Sequence, residues 1–388
     1  MASSQTTVTA LAILALCAAA TLDRAVAQDA TPVVSANTPV GKWRVAVPMS
    51  ERREYGGGVR LLNGKILAVS GHPLQGKSIA SAELYDPQTG TWSNTGSLDQ
   101  ARNGGNTATL LLDGRVLIAG GHSNAAVVRG AEIYDPATGN WTDAGTLSVG
   151  RDPAATRLAD GRVLLSGGID WYTDSGKIYD LSELFDPVSG KWTATGPLLT
   201  ARDQHRTALL DDGRVLAVGG YAMGSVLLAS AEVYNPATGL WNATGKLPTP
   251  RSWFSLIKLL DGRVLVAGGY TGGASKRTYL ASAALYNPKN GQWSDTRPMK
   301  DKRGGFSMTL LPDGQVLVAG GVAESGWELK TAELFDPRSE TWRVAAPLNV
   351  ARRNHRTALL PDGSVLVLGG SSFHGNKYLE SCEIFSEY

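Results

Sequence analysis

Residues 113–121 read DGRVLIAGG, residues 131–141 read AEIYDPATGNW, and an arginine follows at Arg151. The same phrase returns seven times along the chain. Each return spans roughly fifty residues, the length of one repeated supersecondary unit. Such a unit cannot bury its apolar face alone, so the copies must stack or close into a ring.

Each unit holds four short β-rich runs. In the fourth unit they are residues 207–210, 214–218, 231–234 and 240–243. Asp212-Gly213 between the first two is a tight-hairpin signal. Between the last two, Asn235-Pro236-Ala237-Thr238-Gly239 offers proline for a preset φ and glycine for a positive one. No run has the length or period of a helix. The expected fold is therefore all-β: a seven-bladed β-propeller with four antiparallel strands per blade.

Two further marks recur. A glycine pair ends the second run: Gly120-Gly121, Gly167-Gly168, Gly219-Gly220, Gly268-Gly269, Gly320-Gly321 and Gly369-Gly370, with Ser70-Gly71 as the first copy. A tryptophan marks the fourth run: Trp43, Trp92, Trp141, Trp192, Trp241, Trp293 and Trp342. Trp43 has no earlier runs before it, and the chain stops in a third run at Ile384-Phe385. The segment around Trp43 should therefore supply the outer strand of the last blade and remove its open edge.

The glycine pair, the aromatic of the third run and the tryptophan of the fourth resemble the kelch repeat over essentially residues 43–388. The local wording is similar to bacterial secreted kelch proteins and to the central propeller of galactose-oxidase-like enzymes. That second likeness would imply copper-radical chemistry with two tyrosines, two histidines and a Tyr–Cys crosslink. Beyond the first thirty residues the chain offers a single cysteine, Cys382, inside a third-run strand phrase (CEIF). A buried, inert thiol is the expectation there, and no cofactor is expected; whether the loop-face histidines hold a metal stays open. Sialic-acid mutarotases and a uronide lyase using His and Tyr are further enzymes conceivable on such a propeller.

The chain ends and composition bound the setting. Residues 8–20 (VTALAILALCAAA) are apolar, and Ala25-Val26-Ala27 fits a small-x-small cleavage site. Residues 1–27 read as a signal peptide, 28–41 as a flexible leader and 42–388 as the propeller. The expected location is periplasmic or secreted, with no membrane span and a monomeric state. A net charge of +2 with interspersed signs excludes the basic stripe that nucleic acid requires.

What every blade needs is scaffold. An arginine precedes each first run: Arg52, Arg102, Arg151, Arg202, Arg251, Arg303 and Arg352. A glutamate sits in most third runs, with Ala284 the exception. Buried Arg–carboxylate pairs would satisfy the loops between blades. The tryptophans are packing between blades.

What remains lies on one face. The loops after the second and fourth runs share that face and vary, while the other turns are uniform. Function should sit on the variable loops. All five histidines map there: His72, His122, His205, His355 and His374. His205 and His355 occur in matched phrases (RDQHRTALL, RRNHRTALL), which also fits a repeat role. Asp170-Trp171-Tyr172 opens the longest loop, and Tyr55, Tyr221, Trp253, Phe254, Tyr270, Phe306, Trp327 and Phe373 crowd the same face. Arg53, Arg206, Lys302, Arg353 and Arg356 lean it positive, and Glu54, Asp152, Asp203 and Asp301 offset that lean.

The candidate ligand-binding residues are His72, His122, Asp170, Trp171, Tyr172, His205, Tyr221, Trp253, Tyr270, Trp327, Arg353 and His355. The expected function is binding of a carbohydrate or protein ligand at this face. The alternative is a mutarotase-, lyase- or oxidase-like carbohydrate-active enzyme using the same His and Tyr side chains.

Overall fold

The structure is a computed structural model. It describes residues 39–74, 77–104, 108–124, 126–172, 176–273, 276–373 and 377–387. The expected signal segment, most of the leader, Cys17 and His374 lie outside those residues. All the blades fall within one compact unit, Asn37–Tyr388.

Seven four-stranded antiparallel sheets form the blades. Blade 4 runs outward through Arg206–Leu209, Val215–Val218, Ala231–Asn235 and Leu240–Thr244. These are the four runs of the fourth repeat, displaced by a residue at some ends. The innermost strands touch their neighbours in a closed ring, with Gly57–Arg60 of blade 1 against Arg356–Leu359 of blade 7. Blade 7 completes itself with Lys42–Ala46, which pairs antiparallel to Cys382–Ser386 and sets Trp43 opposite Phe385. The chain closes the ring as its phase predicts.

The second strand of each blade is buried throughout and, Ser166 of blade 3 aside, apolar, because both its faces are covered. In blade 4, Leu216 and Val218 pack with Val264 and Val266 of blade 5. Val215 and Ala217 turn the other way and pack with Leu164 and Leu184 of blade 3. Full burial of each Val or Leu contributes about 1.5–3 kcal/mol.

The repeat tryptophans tie neighbouring blades. Each stacks on the third-strand aromatic of its own blade, as Trp141 does on Tyr134 with ring centres 5.1 Å apart. Its indole N–H then donates to the preceding blade: Trp141 to the Gly96 carbonyl, Trp192 to that of Ala144 and Trp293 to that of Gly245. Trp241 differs and donates to the Ser182 hydroxyl.

The arginines form a buried ring with the glutamates. Arg102 meets Glu132 at 2.5 Å, Arg202 meets Glu232 at 2.6 Å and Arg352 meets Glu383 at 2.9 Å. In blade 1 the ring member is Arg53, 3.0 Å from Glu83, and not Arg52, which is exposed and pairs with Glu380. Two consecutive arginines concealed the register. Arg53 is therefore scaffold and leaves the set of free cations.

Blade 5 shows what the ring is for. In the other blades the glutamate also accepts a backbone N–H from the residue three places before the arginine, as Glu232 does from Leu199 and Glu333 from Lys300. In blade 5 that residue is Pro248, which has no N–H to give. The carboxylate is correspondingly absent, replaced by the fully buried Ala284. Arg251 keeps the bonds that its counterparts make beside their carboxylate, here to the Gly268 and Ser282 carbonyls and the Ser282 hydroxyl. Burial without a paired carboxylate pulls Arg251 down to about 10.

The glycine pairs are steric necessities. Gly220 has φ +84°, and a Cβ there would stand 2.2 Å from the Asp203 carbonyl oxygen. That contact is where the loop leading into strand 1 crosses the end of strand 2.

Candidate functional site

The variable loops surround a pocket of about 430 Å³ at the mouth of the central channel. That volume lies in the range of small-molecule sites. Its rim is built by two positions of the repeat, one and two places after each ring arginine.

The first position extends the blade by one more pairing. Glu54 bridges His72, Asn103 bridges His122 and Asp203 bridges Tyr221, so each loop is tied to the residue after its glycine pair. The second position takes left-handed backbone: Tyr55 at φ 55°, Gln204 at 51°, Trp253 at 58° and Asn354 at 52°, with Gly104 and Gly305 in the same region. Left-handed φ at bulky residues is strained and collects at functional sites. Here it lets successive loops hydrogen-bond across blades. The Gly305 amide donates to the Trp253 carbonyl, Asn354 to Gly305 and Tyr55 to Asn354. That arc runs through blades 5, 6, 7 and 1. Asn354 is fixed further by its amide donating to Glu54 at 2.7 Å.

Blade 3 breaks the pattern. Asp152 is followed by Pro153, and strand 1 begins one residue early, at Ala154. Trp171 and Tyr172 from the long loop of that blade complete the wall instead. The Asp170 carboxylate accepts the Tyr172 amide at 2.9 Å, and the Tyr172 hydroxyl donates to the Ser123 carbonyl at 2.5 Å.

Arg206 and Arg356, the first residues of the innermost strands of blades 4 and 7, line the inner end of the pocket. Burial and mutual repulsion pull Arg356 down to about 10. Burial likewise lowers Arg206, and Asp152 and Asp203 draw it back up. Burial pushes Asp203 up to about 6 against a hydrogen bond from the Tyr221 hydroxyl. Burial and the neighbouring Asp203 raise Asp152 well above the usual carboxylate range, which favours its neutral form. The two guanidiniums and the two carboxylates thus share the inner end of one pocket.

His72 and His122 face each other edge-on, ring centres 6.4 Å apart. Burial and the His72 ring lower His122 to about 4, so it is neutral at neutral pH. Its Nδ1 stands 3.8 Å from Asp152 Oδ2, too far for a hydrogen bond. Nδ1 of both histidines, Asp152 Oδ1 and Asn103 Oδ1 are buried polar atoms without a hydrogen-bond partner. Such atoms around one pocket can take hydrogen bonds from solvent or from a polar ligand.

Of the candidate residues, His72, His122, Trp171, Tyr172, Trp253 and His355 line this pocket. Tyr221 and Tyr270 line an adjoining one with Trp171. His205 is placed elsewhere: it is 3 % exposed, and its ring nitrogen bonds Ser166 Oγ at 3.1 Å across the blade boundary. His355 is 1 % exposed and reaches the pocket only at its surface. Trp327 stands 51 % exposed and apart from the pocket. Arg353 lies outside it, 4.3 Å over the Phe373 ring and 5.8 Å from that of Trp253. Phe254 is core.

Asn103, Asp152, Asp203, Gln204, Asn354 and the two arginines Arg206 and Arg356 were absent from the candidate set. Their shared signal is position. Residues one, two and four places after the ring arginines converge on the mouth, and they differ from blade to blade.

Cys382 is buried among Ala46, Met49 and Ile384 in the core of blade 7, and burial pushes its thiol up to about 12. It cannot meet a tyrosine at the mouth. Among the described residues no three His, Cys, Asp or Glu side chains converge as metal ligands. The donor set does not fit a copper-radical centre. Among those residues no helix is long and apolar enough to cross a membrane.

The kelch motif matches residues 104–148, 205–248, 259–300 and 310–349. The chain carries kelch motifs, and its fold is the seven-bladed kelch-type propeller. No curated protein sequence matches it. Among solved structures it is similar to a fungal alcohol oxidase of the AA5 family in complex with copper. The TM-score is 0.73 at 20 % identity, over 89 % of this chain and 76 % of that one. At that identity the likeness describes the fold.

Proposed function

We propose that this protein is an exported binding propeller whose mouth holds an acidic sugar. The carrying observation is the pairing of Arg206 and Arg356 at the inner end of a pocket walled by Trp171, Tyr172 and Trp253. Aromatic faces suit the apolar side of a sugar ring, and guanidiniums suit a carboxylate. The unpartnered atoms of His72, His122, Asn103 and Asp152 would take the ring hydroxyls. The concavity favours a small ligand over a protein surface, which would need a much larger footprint.

Calorimetric titration with galacturonate, glucuronate and galactose tests this. Uronates should bind at least tenfold tighter than galactose, a difference of about 1.4 kcal/mol. Arg206→Met with Arg356→Met should erase that preference. Equal binding of charged and neutral sugars, or none by either, would sink the reading.

Catalysis in the same pocket is a second reading, favoured by one observation. Neutral His122 stands beside Asp152, a carboxylate with raised proton affinity, as an acid–base pair would. Turnover of a bound uronate, lost in His122→Ala by a factor well beyond its loss of binding, would establish it.

A further inference from the structure

Beside the mouth lies a second pocket of about 230 Å³ between the loop hairpins of blades 4 and 5. The hairpins are Tyr221–Ala222 with Val226–Leu227, and Tyr270–Gly273 with Lys276–Tyr279. Their strands touch along one side.

Two residues, Trp171 and Gln204, line both pockets. A third link joins them: the Tyr221 hydroxyl of the second pocket donates to Asp203 of the first. The two cavities therefore share one wall and open on the same face. The second pocket is built like the first. Tyr270 offers an aromatic surface, and Arg277 lies 4.8 Å over that ring. The guanidinium is thus held over the tyrosine ring and lines the pocket.

We infer that the second pocket is a subsite for the next unit of an acidic oligosaccharide whose terminal residue occupies the mouth. This rests on the acidic-sugar reading above and extends it from a single sugar to a chain. The shared wall argues for one continuous ligand. A partition that belongs to both cavities sets two ring sites side by side, and its tryptophan can contact both units. The repeated chemistry, an aromatic surface with a guanidinium, argues that the second unit resembles the first. A basic Arg277 matches a second uronate better than a neutral sugar.

The experiment is a chain-length series on the full chain: galacturonate, digalacturonate and trigalacturonate, each titrated by calorimetry, with galactose and cellobiose as neutral controls. Digalacturonate should bind at least tenfold tighter than galacturonate. Tyr270→Ala and Arg277→Ala should remove that gain and leave the galacturonate affinity within about twofold of the parent. Arg277 is exposed, so its variant tests the subsite even if Tyr270→Ala disturbs the hairpin. Equal affinities for mono- and digalacturonate overturn the subsite while the mouth reading stands. A gain that survives Arg277→Ala also overturns it. If no uronate binds, the mouth reading fails and the subsite falls with it.

Discussion

Arg202 and Arg206 stand four residues apart in one blade and live in different worlds. Arg202 is fully buried, and its guanidinium is spent on Glu232, the Gly219 and Ser230 carbonyls and the Ser230 hydroxyl. Arg206 makes one long bond, 3.4 Å, to the Phe254 carbonyl and otherwise faces the pocket. The first charge is consumed by the fold; the second is held ready for something else. Recurrence separates them, since the Arg202 position is arginine in every blade and the Arg206 position is arginine only in blades 4 and 7.

The widest separation should appear in stability. Arg202→Met leaves Glu232 buried without its cation and should cost about 3–5 kcal/mol in urea unfolding. Arg206→Met should cost less, about 1–2 kcal/mol, because Asp152 and Asp203 lose a neighbouring cation but no contact ion pair is broken. Similar losses for the two would dissolve the contrast.

Blade 5 sharpens it. Arg251→Met breaks hydrogen bonds but no ion pair, so its cost should be about 1–3 kcal/mol, below that of Arg202→Met. Installing the missing glutamate alone, Ala284→Glu, should not stabilise, since Pro248 offers no amide. Ala284→Glu with Pro248→Ala should show favourable coupling of about 1 kcal/mol in a double-mutant cycle. Strictly additive effects would mean that the proline and the missing carboxylate are unrelated.

The pocket side is checked by pH. The folded carboxyl of Asp203 is raised to about 6 from 3.8. Below both values it is protonated folded or unfolded, and its ionisation costs nothing. As pH rises between them the unfolded chain ionises first, so stability is lost up to about 6. The melting point of Asp203→Asn, measured against the parent, should therefore climb from pH 4 to pH 7. A pH-independent gap would show that Asp203 is not held neutral by burial. The smallest effect belongs to Trp327→Ala, expected within about 0.5 kcal/mol and without influence on uronate binding.

The fold was legible because its cause is local and repeated. Gly213, Gly239 and the glycine pairs fix turns wherever they stand, and a phase count around Trp43 reveals the closing strand. The site was legible only in outline. Composition placed aromatics and histidines on one face, but depth is not a property of composition. His205 and His72 map to the same face in sequence, yet one packs beneath Gly167 while the other opens on the mouth. Arg52 and Arg53 differ only in register, which Glu83 decides. Asp152 enters the pocket because Pro153 shortens its loop, a deletion visible only once strand pairing is known.

The closing strand has a consequence in time. Trp43 finds its carbonyl partner 303 positions downstream. The first strand of the propeller to leave a ribosome is thus the last to be seated. Until residues 382–386 arrive, Lys42–Ala46 has no sheet to join and the ring stays open. A protease that cuts between the closing strand and blade 1 would convert a fastened circle into one held only by seven seams, so resistance to such a cut measures how well the last seam alone is sealed.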